Sequence, residues 1–96
     1  MEEGKEAYLQ KRQAELKELE MRLEVLESTA EKADAEAKIG YGEQIYELKE
    51  KRDNLEADIA ELKRADDKAW KDLRSKIDEA TTDLRTAIDV ASTRFK

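Results

Sequence analysis

Leu9, Leu16, Leu23, Ala30 and Ala37 recur every seven residues, and Leu19, Leu26 and Ala33 fall three residues after Leu16, Leu23 and Ala30. A heptad repeat of this kind lines one face of an α-helix and requires another helix to cover it. Beyond Ala37 the spacing shifts to Tyr41, Ile45, Leu48, Leu55, Ile59 and Leu62, a stutter that locally unwinds a supercoil, with Gly40 and Gly42 inside it. A further apolar stripe runs through Trp70, Leu73, Ile77, Ala80, Leu84, Ile88, Ala91 and Phe95, with steps of eleven that suit nearly straight helices. The 96 residues hold no Pro and only three Gly, so the chain lacks the punctuation of a multi-strand fold. The pattern predicts an all-α protein forming a single helical coiled-coil domain over residues 1–96.

Charge divides the chain near residue 64. Glu supplies 15 of the 18 acids in residues 1–63, whereas Asp supplies 6 of the 7 that follow, accompanied by Thr81, Thr82, Thr86 and Thr93. Glu propagates a helix better than Asp or Thr, so the second segment leans more on packing. Ala65-Asp66-Asp67 is the best place for a turn, because the Asp66 carboxylate can accept hydrogen bonds from the free amides of a new helix and Asp67 suits the positive end of its dipole.

A fold-back at that turn sets Leu62 opposite Trp70, Ile59 opposite Leu73, Leu55 opposite Ile77, Leu48 opposite Leu84, Tyr41 opposite Ala91 and Ala37 opposite Phe95, all in one register. The architecture it predicts is an antiparallel hairpin with helix 1 over about 4–64, a turn at about 65–66 and helix 2 over about 67–95. Tyr41, Leu48, Leu55, Ile59, Leu62, Trp70, Leu73, Ile77, Leu84, Ile88 and Phe95 would pack the hairpin. A first helix of some 60 residues would be about 90 Å long, and its partner would cover less than half of it. Leu9, Leu16, Leu19, Leu23, Leu26, Ala30 and Ala33 would then stand uncovered. Each buried Leu contributes about 1.5 to 3 kcal/mol, so the stripe predicts self-association into a homodimer or higher helical bundle. The alternative is a three-helix bundle that closes the seam within one chain. It needs a second turn, either near Ser28-Thr29, where Ser28 and Glu31 have capping-box spacing, or at Gly40-Tyr41-Gly42.

Composition removes most chemistries. With 46% charged residues, no His and no Cys, the chain lacks the usual general base, the usual transition-metal ligands and any disulfide. Di-metal carboxylate bundles pair each Glu with a His three residues on, a pattern that cannot occur here. Glu15, Glu18, Glu20, Glu24 and Glu27 read as a solvated face. Tyr8, Tyr41 and Tyr46 have no base or metal partner of the types that activate a phenol. No catalytic residue, metal ligand or cofactor is therefore expected. A net charge of −6 disfavours nucleic acid as a partner. Met1-Glu2-Glu3 is acidic where a signal peptide is basic, and the apolar runs are too short for stable membrane insertion, so a cytoplasmic location is expected. Glu18 with Arg22, Asp34 with Lys38, Glu47 with Lys51, Asp67 with Lys71 and Asp72 with Lys76 have the favourable spacing for ion pairs along a helix.

Lys5-Glu6-Ala7-Tyr8, Ala33-Asp34-Ala35-Glu36-Ala37-Lys38-Ile39, Ala69-Trp70-Lys71-Asp72-Leu73 and Ala91-Ser92-Thr93-Arg94-Phe95-Lys96 together span nearly the whole chain. They resemble a family of short bacterial coiled-coil proteins, usually labelled as uncharacterised or stress-response proteins. Gly40 and Gly42 depart from the helix formers expected there. The resemblance implies no catalytic residues and a link to bacterial stress response. The function expected is that of a non-enzymatic coiled-coil interaction or scaffold protein that binds itself or another helical protein. An amphipathic helical protein that covers lipid surfaces or protects other proteins under stress is the alternative.

Overall fold

A computed structural model describes residues 4–95; the Met1-Glu2-Glu3 start and Lys96 of the closing motif lie outside the described residues. The described residues are all-α, as expected, and form three helices: α1 Lys5–Glu31, α2 Ala35–Arg64 and α3 Asp67–Arg94. Each packs against the other two in a rod of 50 × 19 × 16 Å. The turn expected at 65–66 is present. Asp66 is extended (φ −78°, ψ 178°) and its carboxylate accepts from the Lys68 and Ala69 amides at 3.1 and 2.8 Å.

The helix expected over about 4–64 is instead two helices, α1 and α2, folded back on each other, with the α2–α3 hairpin retained beside them. The break is at Lys32-Ala33-Asp34, downstream of Ser28-Thr29. Neither of the turn sites inferred from capping-box spacing or from glycine is used, and α2 runs through Gly40 and Gly42 without interruption. Its chemistry repeats that of the other turn. The end of α1 tightens as the Lys32 and Ala33 amides donate to Thr29 and Ala30 carbonyls, each at 3.2 Å. Asp34 then takes an extended backbone (φ −69°, ψ 168°) and its carboxylate accepts from the Ala37 amide at 2.9 Å. Asp34 is thus a helix cap, where the spacing to Lys38 had suggested a mid-helix ion pair. Such a cap contributes about 0.5 to 2 kcal/mol.

The fold-back changes the fate of the seam. Leu9, Leu16, Leu19, Leu23 and Leu26 are buried in the same core as Ile45, Leu48, Leu55, Ile59 and Leu62 of α2 and Trp70, Ile77, Leu84, Ile88 and Phe95 of α3. Ala30, Tyr41 and Leu73 are half-buried against that core, and Ala33 is half-buried in the turn. The residues assigned to self-association are therefore covered inside one chain, because α1 finds in α2 and α3 the partner surface that a long straight helix would have denied it. In the hairpin the register is close to the expected one. Lys51 meets Asp83 at 2.6 Å and Lys76 meets Asp58 at 3.2 Å, while the Tyr41 ring stacks on Phe95, one turn beyond the Ala91 expected opposite it. Among the described residues no helix is long and apolar enough to cross a membrane.

Leu23→Ala, at a site 1% exposed, is expected to lower stability by about 2 to 5 kcal/mol in urea unfolding, with all three helices melting in one transition. Asp34→Ala is expected to cost about 0.5 to 2 kcal/mol in the same assay, and Ser28→Ala almost nothing.

Candidate functional site

Two regions stand out, one polar and partly buried near the α2–α3 turn, the other apolar and open in the half of the rod that holds the α1–α2 turn. The first is built on α1 and α3. These run parallel, so contacting residues keep a nearly constant separation in sequence: Tyr8 and Asp78 are 70 apart, Arg12 and Asp78 66, Glu15 and Arg85 70, Arg22 and Asp89 67. Tyr8 is buried and its hydroxyl donates to Asp78 Oδ1 at 2.5 Å, with the Arg74 carbonyl 3.0 Å away. Arg12 bridges Glu15 at 2.7 Å and Asp78 at 2.5 Å, and Arg85 reaches Glu15 at 2.6 Å. The Tyr8 ring lies 5.8 Å from that of Trp70, and the Arg12 and Arg74 guanidinium groups lie 5.1 and 5.3 Å from its centroid. Trp70 shares the core with Leu62, the residue expected opposite it, and its ring also meets Tyr8 of α1. Lys5 completes this end by donating to the Lys63 and Ala65 carbonyls, at 3.2 and 2.5 Å, where α2 leaves its last acceptors free.

The electrostatics favour holding charge over moving protons. Burial and the bond to Asp78 push the Tyr8 phenol up to about 12, against a smaller pull from Arg12. Burial raises the Asp78 carboxyl, but bonds from Tyr8 and Arg12 and the charges of Arg12 and Arg74 outweigh it and hold it below the ordinary value. For Arg12 burial opposes the charge, and contacts with Tyr8, Asp78 and Glu15 reverse the balance and raise its pKa. A phenol pushed upward and a carboxyl pushed downward are both moved away from neutral pH, where a general acid or base must work. The cluster acts as a clamp between α1 and α3.

No local signal in the sequence marks this clamp, because its partners lie on helices that become neighbours only after the turn at Asp34. None of the five ion pairs expected along single helices closes. Arg22 reaches Asp89 at 2.5 Å and Lys51 and Lys76 reach Asp83 and Asp58, all across helices. Among the described residues no three Asp or Glu side chains gather as a metal site.

The second region lies at the opposite end. Of the large apolar residues, Met21, Val25, Ile39, Tyr46 and Val90 are exposed, the first four by 60 to 70%. Met21 and Val25 are on the outward side of the later half of α1. Ile39 and Tyr46 are on the outward side of the first half of α2, and Val90 is near the end of α3. Because successive helices are antiparallel, all five are in the half of the rod that contains the α1–α2 turn. No family model, curated protein or solved structure matches the chain.

The Tyr8 clamp makes stability depend on pH at both extremes. The Tyr8 pKa is higher folded than unfolded, so its contribution is complete below about pH 10 and is lost as pH rises towards 12. The Asp78 pKa is lower folded than unfolded, so its contribution is present above the unfolded value and is lost as pH falls through the folded one. Tyr8→Phe should remove the phenolate absorbance step at about pH 12 and cost about 1 to 2 kcal/mol at neutral pH. Asp78→Asn should flatten the acid limb of the stability profile.

Proposed function

We propose that the chain is a non-enzymatic helical interaction module, in which a self-sufficient three-helix body displays apolar docking faces to itself or to another helical protein. The observation that carries this reading is the placement of Met21, Val25, Ile39 and Tyr46, 60 to 70% exposed, on the outward sides of α1 and α2 at one end of the rod. Single exposed apolar residues are ordinary on a protein surface, whereas pairs set along one line of a helix, Met21 with Val25 and Ile39 with Tyr46, offer strips on which a partner can lie. The opposite end carries the clamp and Lys5, which stiffen the body behind those faces.

The apolar side of α3 that a lipid-surface role would use, from Trp70 to Phe95, is occupied by the core, which favours a protein partner over a membrane. A bacterial stress-response setting and a cytoplasmic location belong to the same proposal and rest on the sequence motifs and composition. The leucines of α1 no longer supply a drive to associate, so any partner is bound through the outer faces.

A photocrosslinking residue placed in turn at Met21, Val25, Ile39 and Tyr46 in the native cell tests the reading. Discrete adducts from these positions, and none from exposed Glu56 in the far half of α2, are the expected result. Absence of adducts, or the same adducts from Glu56, would overturn it.

A further inference from the structure

Ile39 and Tyr46, 70% and 66% exposed, are seven residues apart and so share one line along α2, on the side away from Ile45, Leu48 and the core. Gly42 lies between them. A Cβ added at Gly42 would meet nothing within 4 Å, and its backbone is not in the left-handed region, so neither packing nor conformation inside the chain calls for glycine there. Glycine weakens a helix interior, and what it gives in return is a notch that lets another backbone approach.

Charge along this line is sorted by side. With Ile39 and Tyr46 at heptad position a, Ala35 and Gly42 fall at d, Glu36, Glu43 and Glu50 at e, and Lys38 at g, where the next member, Ile45, is taken into the core. All four charged residues are exposed, and among the described residues no ion pair engages them. The stripe ends where its next members are taken up within the chain. Lys49 turns to Glu27 at 3.6 Å, and Asp53 is held by Arg52 at 2.9 Å.

This sorting discriminates between the two ways in which a second copy could lie on the line. In a parallel pair each g position faces the e position five residues on in the other helix, so Lys38 of each copy meets Glu43 of the other. In an antiparallel pair e faces e, and Glu36, Glu43 and Glu50 of one copy meet the same acids of the other. The first is attractive twice over and the second repulsive throughout. We propose that the outer face of α2 from Ala35 to Tyr46 binds a second copy of this chain, parallel and about a two-fold axis along the helix. Ile39 packs on Ile39, Tyr46 on Tyr46, and Gly42 on Gly42 at the point of closest approach. This inference rests on the reading of the α2 face as a docking surface and names its occupant. With two apolar layers the interface is far smaller than the roughly 1,200 Å² of a stable complex, so the dimer is weak, with a dissociation constant on the order of 0.1 mM.

Sedimentation equilibrium of the intact chain from about 0.02 to 1 mM tests it. The dimer fraction should rise over that range, and Ile39→Glu combined with Tyr46→Glu should abolish it without changing the Tm, since both side chains are exposed. Lys38→Glu should weaken association at least about fivefold, and adding Glu43→Lys should restore it to within about twofold. Ala35→Cys should form a disulfide-linked dimer on oxidation, because parallel helices bring the two positions together whereas antiparallel ones hold them about 27 Å apart. A monomer at 1 mM would overturn the inference. So would a charge reversal that fails to restore binding, or a dimer that Ala35→Cys cannot link. The photocrosslinks to other proteins are read separately, so a monomeric chain that still yields them would leave the interaction role standing.

Discussion

Everything in this molecule depends on covering the leucines of α1. Five of them lie on one face, worth several kcal/mol in sum if removed from water, and the covering surface has to come from somewhere. The turn at Asp34 lets it come from the same chain. Once that carboxylate accepts the Ala37 amide, α1 can fold back into the groove between α2 and α3, and the rod shortens to 50 Å. The strongest drive to associate is thereby satisfied internally. What remains on the outside is weaker and more selective, a few apolar side chains set among charges.

Apolar burial alone does not fix how a third helix lies on a hairpin, because leucine stripes tolerate sliding by a turn. The polar contacts between α1 and α3 do not. Tyr8 and Arg12 converge on Asp78 while Arg85 reaches back to Glu15, so a one-turn slip would leave the buried Tyr8 hydroxyl and the half-buried Arg12 guanidinium without these partners. An unmade bond at a buried polar group costs more than the made one contributes, which gives the clamp its power to select register. The Tyr41–Phe95 stack, with ring centroids 4.1 Å apart, fixes the other end of the α2–α3 pair.

The helical class, the stripe residues and the turn at Asp66 were legible from the sequence because each carries a local signal. Asp66 is followed by another Asp and coincides with a change in charge and acid type. Asp34 makes the same hydrogen bond, yet it sits among Ala30, Ala33, Ala35 and Ala37, whose heptad rhythm runs through the turn without a break. Alanine is small enough to be core, surface or turn, so its periodicity carries little information about burial. Ala30 ends half-buried on the core and Ala33 in the turn itself. The clamp was illegible for a different reason: a partner about 70 residues away is invisible until the number of helices is known. Gly40 and Gly42 suggested a turn, but an exposed helix can absorb them, and their position opposite the core places them where another molecule can reach.

An odd number of helices leaves the two described ends of the chain, Gly4 and Phe95, at opposite poles of a 50 Å rod. A hairpin or a four-helix bundle returns its ends to the same pole and so brings together whatever they carry; this body holds them apart. Two such rods lying parallel would also align head with head, giving a particle with two distinct poles, one presenting both starts and the other both finishes. Geometrically the three-helix rod has a direction.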